Sequence, residues 1–299
     1  MTQFPQPRTG LFEGAEASPF ASAFDDDDID DVSHETSYRR PTQTRLIVIA
    51  NQKGGVGKTT TAVNLAAALG FGGMRVLLID VDPQGNASTA LGVDHRQGVR
   101  GTYEVILDGD AIDWHVVKSD EAPGLWVLPA TVDLAAAELE LVNIQGRERR
   151  LADALDAFLA VREMDYVIFD CPPSLGLLTL NALIAAREIL IPIQCEYYAL
   201  EGVTQLLHTI NLVKSNLNDD LELSTVLLTM YDGRTRLSAQ VADEVRTHFP
   251  SQTLDTVIPR SVRISEAPSY GQTVITYHHG SAGGRAYLDA TAEIANRAK

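Results

Sequence analysis

The stretch Leu46-Ile47-Val48-Ile49-Ala50-Asn51-Gln52-Lys53-Gly54-Gly55-Val56-Gly57-Lys58-Thr59-Thr60 runs from a strand-like apolar segment through a glycine-rich loop into a helical pattern. Continuous apolarity over Leu46–Ala50 predicts a strand covered on both faces. From Thr59 to Leu69 the apolar positions Ala62, Leu65, Ala66 and Leu69 share one helical face, and glycines close the pattern. Glycines in such a loop let the backbone wrap closely round phosphate oxygens and turn its N–H groups inward. The helix that starts there adds its positive dipole end. Lys58 is then placed to reach β- and γ-phosphates, and the Thr59 hydroxyl to hold Mg²⁺. Gly54, Gly55, Val56, Gly57 and Thr60 complete the loop. A glycine turn that happens to precede a helix is the bland alternative. Gly57-Lys58-Thr59 between strand and helix argues against it.

Working outward, further apolar runs recur at Val76–Ile79, Leu125–Leu128, Tyr166–Phe169, Ile189–Ile193, Thr225–Leu228 and Thr256–Ile258. Helical patterns at 147–161, 177–186, 201–214, 238–248 and 284–297 separate most of them. Continuously apolar strands alternating with helices predict a doubly wound α/β domain, a mostly parallel sheet with helices on both faces. Ligands in such folds bind at the carboxyl ends of the strands. No internal repeat is visible.

The loop departs from GxxxxGK[ST] in having Gln52 where the motif demands glycine, followed by Lys53. Since Lys58 already supplies the loop's positive charge, a second lysine suggests reach towards a second nucleotide across a dimer interface, as an arginine finger does in trans. Phosphoryl transfer also needs a metal and a group that positions water. Tyr166-Val167-Ile168-Phe169-Asp170 has the form of a Walker B strand, with Asp170 holding Mg²⁺ through a water. In Leu77-Leu78-Ile79-Asp80-Val81-Asp82-Pro83-Gln84-Gly85, Asp80 and Asp82 point to the same side of an extended segment. An isolated strand-end aspartate ordinarily caps the next helix. Beside a phosphate loop, a catalytic reading takes precedence for Asp82, while Asp80 fits a structural part. Cys171 reads as a small buried neighbour of Asp170.

Lys53–Thr60 resembles the deviant Walker A box of the ParA/MinD group, and Asp80–Ser88 and Asp170–Ser174 resemble its two switch loops. The runs Gln194–Gly202, Thr229–Asp232, Pro259–Arg263 and Ser265–Gly271 are similar to the chromosomal, Soj-type ParA branch, so the resemblance extends from residue 45 to the end. It implies a deviant P-loop ATPase using ATP and Mg²⁺, with Lys53, Lys58 and Asp82 as catalytic residues and Asp82 positioning water. Lys53 would contact ATP held by the partner in a nucleotide-sandwich homodimer. Pro259 and Ser261 would lie by the adenine, Ser261 standing where the branch usually has Asn. Arg234 and Arg263 would carry non-specific binding to double-stranded DNA. A ParB-like centromere-binding partner would stimulate an otherwise slow hydrolysis and release the dimer from the nucleoid.

Composition constrains these expectations. The 299-residue chain has a formal charge of −16, which by itself disfavours nucleic acid as a partner. Residues 1–43 hold nine acids, including Asp25-Asp26-Asp27-Asp28, against Arg8, Arg39 and Arg40. They are read as a disordered acidic tail ahead of an ATPase domain over 44–299. This tail is either a solubilising extension or a docking arm, for instance to a polar scaffold protein. Within 234–263, Arg234, Arg236, Arg246, Arg260 and Arg263 outnumber Asp243, Glu244 and Asp255, an excess that otherwise suits a solvated face. Two cysteines without ligand spacing argue against a disulfide framework, a metal site or an iron–sulfur carrier, and for a reducing cytoplasm. No apolar stretch suits a membrane span, and the start of the chain lacks the features of a secretory signal. The end, Ala290–Lys299, lacks the bulky apolar residues of a MinD-like membrane helix. A ParA-like ATPase that positions another cargo or a division factor stays open.

Overall fold

The apolar runs pair as strands of one sheet in the computed structural model, which describes residues 38–197 and 201–297. The strands are β1 (Arg45–Ile49), β2 (Val76–Asp80), β3 (Val117–Lys118), β4 (Leu125–Leu128), β5 (Tyr166–Asp170), β6 (Glu188–Gln194), β7 (Glu222–Tyr231) and β8 (Thr253–Pro259). Their order across the sheet is β3-β4-β2-β5-β1-β6-β7-β8. Every pairing is parallel except β3 against β4. The edge hairpin at β3 was not expected. Both of its residues are exposed, so it carries no apolar run.

Helices α1 (Lys58–Phe71), α2 (Asn86–Ala90), α10 (Val274–His278) and α11 (Ala282–Asn296) cover one face of the sheet. The other face is covered by α3 (Thr102–Leu107), α4 (Leu134–Glu140), α5 (Arg150–Leu159), α6 (Leu177–Ala185), α7 (Glu201–Asn216) and α8 (Arg236–His248). A last short helix, α9 (Val262–Glu266), lies between β8 and α10. Alternation along each strand splits the core in two. Leu46 and Val48 of β1, with Val167 and Phe169 of β5, point into the first half. Ile47 and Ile49, with Tyr166 and Ile168, point into the second. Removing such a side chain, as in Phe169→Ala, costs about 3–5 kcal/mol.

Strand order reverses at β1, which lies between β5 and β6. The crevice outside its carboxyl end is where a doubly wound sheet binds ligands. At the opposite end, the folded body begins ahead of the expected boundary at residue 44. Tyr38 is buried against Gly72, where a Cβ would lie 2.1 Å from the ring, so only glycine permits this approach. The Arg40 guanidinium donates to the Gly73 carbonyl at 3.1 Å. One tyrosine in a polar context has no periodicity to announce it. The acidic run 25–31 lies outside the described residues.

α11 packs Ala286, Tyr287, Ala290 and Ile294 into the second half-core, as an ordinary core helix. Among the described residues, no helix is long and apolar enough to cross a membrane.

Candidate nucleotide site

Gly57, at φ 89°, turns the chain from loop to helix and lets its carbonyl accept the Thr61 N–H at 2.9 Å. No side chain caps α1, so the N–H groups of its first turn face the loop, as an anion cradle requires. The loop is pinned on two sides. Asn51 donates to the Pro192 carbonyl on β6 at 2.8 Å and accepts the Lys53 N–H at 3.0 Å. Thr229, on β7, donates to the buried Val56 carbonyl at 2.8 Å. The next residue, Met230, has φ 51°, a conformation that L-residues rarely adopt, directly beside this anchor. Gly54 and Gly55 are exposed at the rim.

Lys58 is buried, and its ammonium donates to the Lys53 carbonyl at 3.4 Å. Burial lowers its pKa, against the pull of Asp170, Cys171 and Asp82. Asp170 ends β5 and pairs in register with Asp80 at the end of β2. Both Asp170 carboxylate oxygens are buried without a hydrogen-bond partner. Burial, then the Asp80 charge, push its pKa well up, while the adjoining Thr59 hydroxyl and Lys58 act the other way. The Thr59 hydroxyl stabilises the anion from close by without completing a hydrogen bond. An orphaned carboxylate beside a threonine hydroxyl offers the oxygen ligands that a hard divalent cation takes, while the neighbouring lysine is left to face anionic oxygens.

The two aspartates of the first switch loop differ sharply. Asp80 is fully buried and accepts three hydrogen bonds, from the Ser88 N–H (3.0 Å), the Ser88 hydroxyl (2.8 Å) and the Asp82 N–H (3.2 Å). Burial still raises its pKa to about 7. It folds the loop 82–88 back onto the strand end. Asp82 is held only by a local turn, accepting the Gln84 N–H at 3.0 Å, and its other carboxylate oxygen is uncommitted among the described residues. Cys171 is wholly buried, and burial pushes its thiol well up, so it is no nucleophile.

Pro259 and Ser261 lie at the carboxyl end of β8, on the same edge of the sheet as the loop. Two cavities lie elsewhere: one of 420 Å³ beside α5, and a cleft of 970 Å³ at the amino ends of β1, β6 and β7. Neither includes a residue of the loop.

The arginine surface corrects the expectation of a locally positive patch. Arg234 is paired bidentately with Asp232, at 2.9 and 2.8 Å, and holds that carboxyl at about 2. Arg260 pairs with Glu196 at 2.8 Å, and Arg263 with Glu266 at 3.1 Å. Asp232 and Glu266 stand just beyond the span 234–263, and Glu196 arrives from the end of β6. A count along the chain could not include them.

Sequence reasoning missed the parts of Asn51, Ser88 and Thr229. Asn51 and Thr229 carry a signal of position alone, each standing at or near a strand's carboxyl end. Ser88 carries none.

A family model described as an AAA domain matches residues 44–223. The sporulation initiation inhibitor protein Soj of Bacillus subtilis is 52% identical over 84% of this chain and 98% of its own length. The chromosome partitioning protein ParA of Myxococcus xanthus is 53% identical, over 85% of this chain and 88% of its own. Among solved structures, cobyrinic acid a,c-diamide synthase from Mycobacterium smegmatis, with bound ADP and magnesium, superposes with a TM-score of 0.72. It is 40% identical, covering 83% of this chain and 93% of that one.

Proposed function

This chain belongs to the ParA/Soj family of P-loop ATPases, and we propose that it is a DNA-partitioning switch driven by binding and hydrolysis of ATP. One observation carries the reading. Lys58, the uncapped start of α1 and the orphaned Asp170 converge on one crevice, with Asp82 hung over it from a short turn. Loop N–H groups and Lys58 would bind the β- and γ-phosphates of ATP, and Thr59 with Asp170 would hold Mg²⁺, the latter through a water. The metal supplies charge neutralisation on the transferring phosphoryl group. Asp82, with a carboxylate oxygen to spare, orients the attacking water towards the γ-phosphate. Pro259 and Ser261 sit by the adenine.

Lys53 has no ion-pair partner among the described residues, and its neighbours Gly54 and Gly55 are exposed. It extends to the nucleotide of a second copy, so that ATP stabilises a sandwich dimer by binding it more tightly than the monomer. Paired copies then present Arg234 and Arg263 to the phosphates of random duplex, a contact that is sequence-independent and salt-sensitive. A ParB-like partner speeds hydrolysis and releases the dimer, which places the protein on the nucleoid in the cytoplasm.

Ultracentrifugation with a non-hydrolysable ATP analogue tests the switch. Wild type should sediment as a dimer and Lys53→Ala as a monomer with nucleotide still bound. A dimeric Lys53→Ala would overturn it. The likeness to cobyrinic acid a,c-diamide synthase favours a second reading, ATP-dependent amide synthesis on a small carboxylic acid. Turnover stimulated by duplex and a DNA-bound partner separates the two, since amide synthesis would ignore both.

A further inference from the structure

Two buried side chains hold the start of α10, which follows the segment bearing Ser261 and Arg263. Asn64, on α1, donates its amide to the Thr60 carbonyl at 2.7 Å, and its side-chain oxygen accepts the Val274 N–H at 2.8 Å. The two bonds together fix which way the amide faces. From the other side, Glu121 accepts the Thr273 N–H at 2.7 Å and the Thr276 hydroxyl at 2.5 Å. Both anchors are buried.

Between these anchors and Arg263 the chain has little slack. The Gly271 N–H donates to Pro268 and the Gln272 N–H to Ala267, which closes the turn after α9. Ile264, beside Arg263, packs against Gly283 of α11. Asn64 stands six residues into a helix that starts at Lys58, about 9 Å along its axis. A helix moves as one body. Whatever draws its first turn towards a phosphate therefore also moves Asn64.

We propose that Asn64 is a positioning residue that couples occupancy of the phosphate loop to the placement of α9, and so of Arg263. This rests on the reading of Arg263 as a DNA contact. Linkage makes the coupling reciprocal: if nucleotide tightens duplex binding by this route, duplex tightens nucleotide binding by the same factor.

The test is Asn64→Leu, which removes the acceptor for Val274. Affinity for a random-sequence duplex is measured with a non-hydrolysable ATP analogue and with ADP, and analogue affinity is measured without DNA. The ratio of duplex affinities in the two nucleotide states should fall about tenfold, with analogue affinity unchanged. Asn64→Asp, which keeps an acceptor, should restore the ratio. A wild-type ratio in Asn64→Leu, or a ratio lost only together with analogue binding, overturns the proposal. Should Asn64→Leu fail to fold, hydrogen exchange on the wild type decides. Amides 273–277 should change protection on adding the analogue without DNA, and unchanged protection overturns the coupling. Arg263→Glu keeps the two claims apart. If it binds duplex like wild type, the DNA reading fails. If it loses duplex while Asn64→Leu keeps its ratio, only the coupling fails.

Discussion

The phosphate crevice and the arginine surface stand on the same edge of one sheet, yet their charged groups are in opposite states. In the crevice, charged groups are buried and left without partners: Asp170 has two orphaned oxygens, and Lys58 reaches only a carbonyl. On the arginine surface, Arg234, Arg260 and Arg263 are exposed and each already holds a carboxylate of its own chain. Desolvated, unsatisfied groups make a preorganised site, because their cost has been met in folding and a ligand relieves it. Exposed ion pairs make an exchange surface. On the proposed function a DNA phosphate would replace a carboxylate there, so the net gain per arginine would be small and would decline with salt. The proposed function thus asks for tight, discriminating binding in the first region and for weak binding that depends on several contacts at once in the second.

The largest effect should come from the crevice. Asp82→Ala should lower phosphate release by about 10²–10³-fold while leaving nucleotide affinity near that of wild type, as a residue acting mainly in the transition state does. Loss of affinity in parallel would mean that Asp82 also holds the ground state, and the contrast between the regions would narrow. Next comes Arg263→Glu, which should weaken random-duplex binding about 10- to 100-fold and reduce the slope of log K against log salt by about one. Mobility shifts over a salt series measure both.

Removing a competing carboxylate should act in the opposite direction. Asp232→Asn frees Arg234 and should tighten duplex binding by about two- to threefold, within the range of an exposed ion pair. No gain would mean that Asp232 only orients the arginine. The smallest effect concerns pH. Burial raises the pKa of Asp80 in the folded state to about 7, above the 3.8 of a free aspartate, so the folded state holds this proton longer than the unfolded one. Its contribution to stability is therefore lost as pH rises from about 4 to about 7. Asp80→Asn cannot accept all three hydrogen bonds and should melt below wild type. That deficit in Tm should be larger at pH 5 than at pH 8, and a constant gap would contradict the burial of a titrating carboxyl.

Legibility in the sequence followed chain distance. Strands β4 and β5 lie within a residue of their apolar runs, since burial on both faces leaves no polar position to blur them. The short helices α2, α3, α4, α9 and α10 were not foreseen, because five to seven residues hold too few turns for a period to show. In the candidate site, the turn of Gly54–Gly57 into the helix from Lys58 was readable because it is one local piece of backbone. The partners of Asp80, Val56 and Arg260 were not, since they come from Ser88, Thr229 and Glu196 on other elements.

By itself the sequence determined what is local or periodic: a parallel sheet covered on both faces, a glycine loop opening a helix, and acids at two strand ends. These follow from backbone geometry and from apolar runs, which depend on near neighbours alone. Only the tertiary structure decided which acid is orphaned and which is satisfied, and that Arg234, Arg260 and Arg263 of the apparent patch each hold a carboxylate of their own chain. It also decided that Asn64 touches Val274. Side-chain charge and hydrogen bonding act through space over a few ångströms, and folding brings together residues that the chain holds far apart.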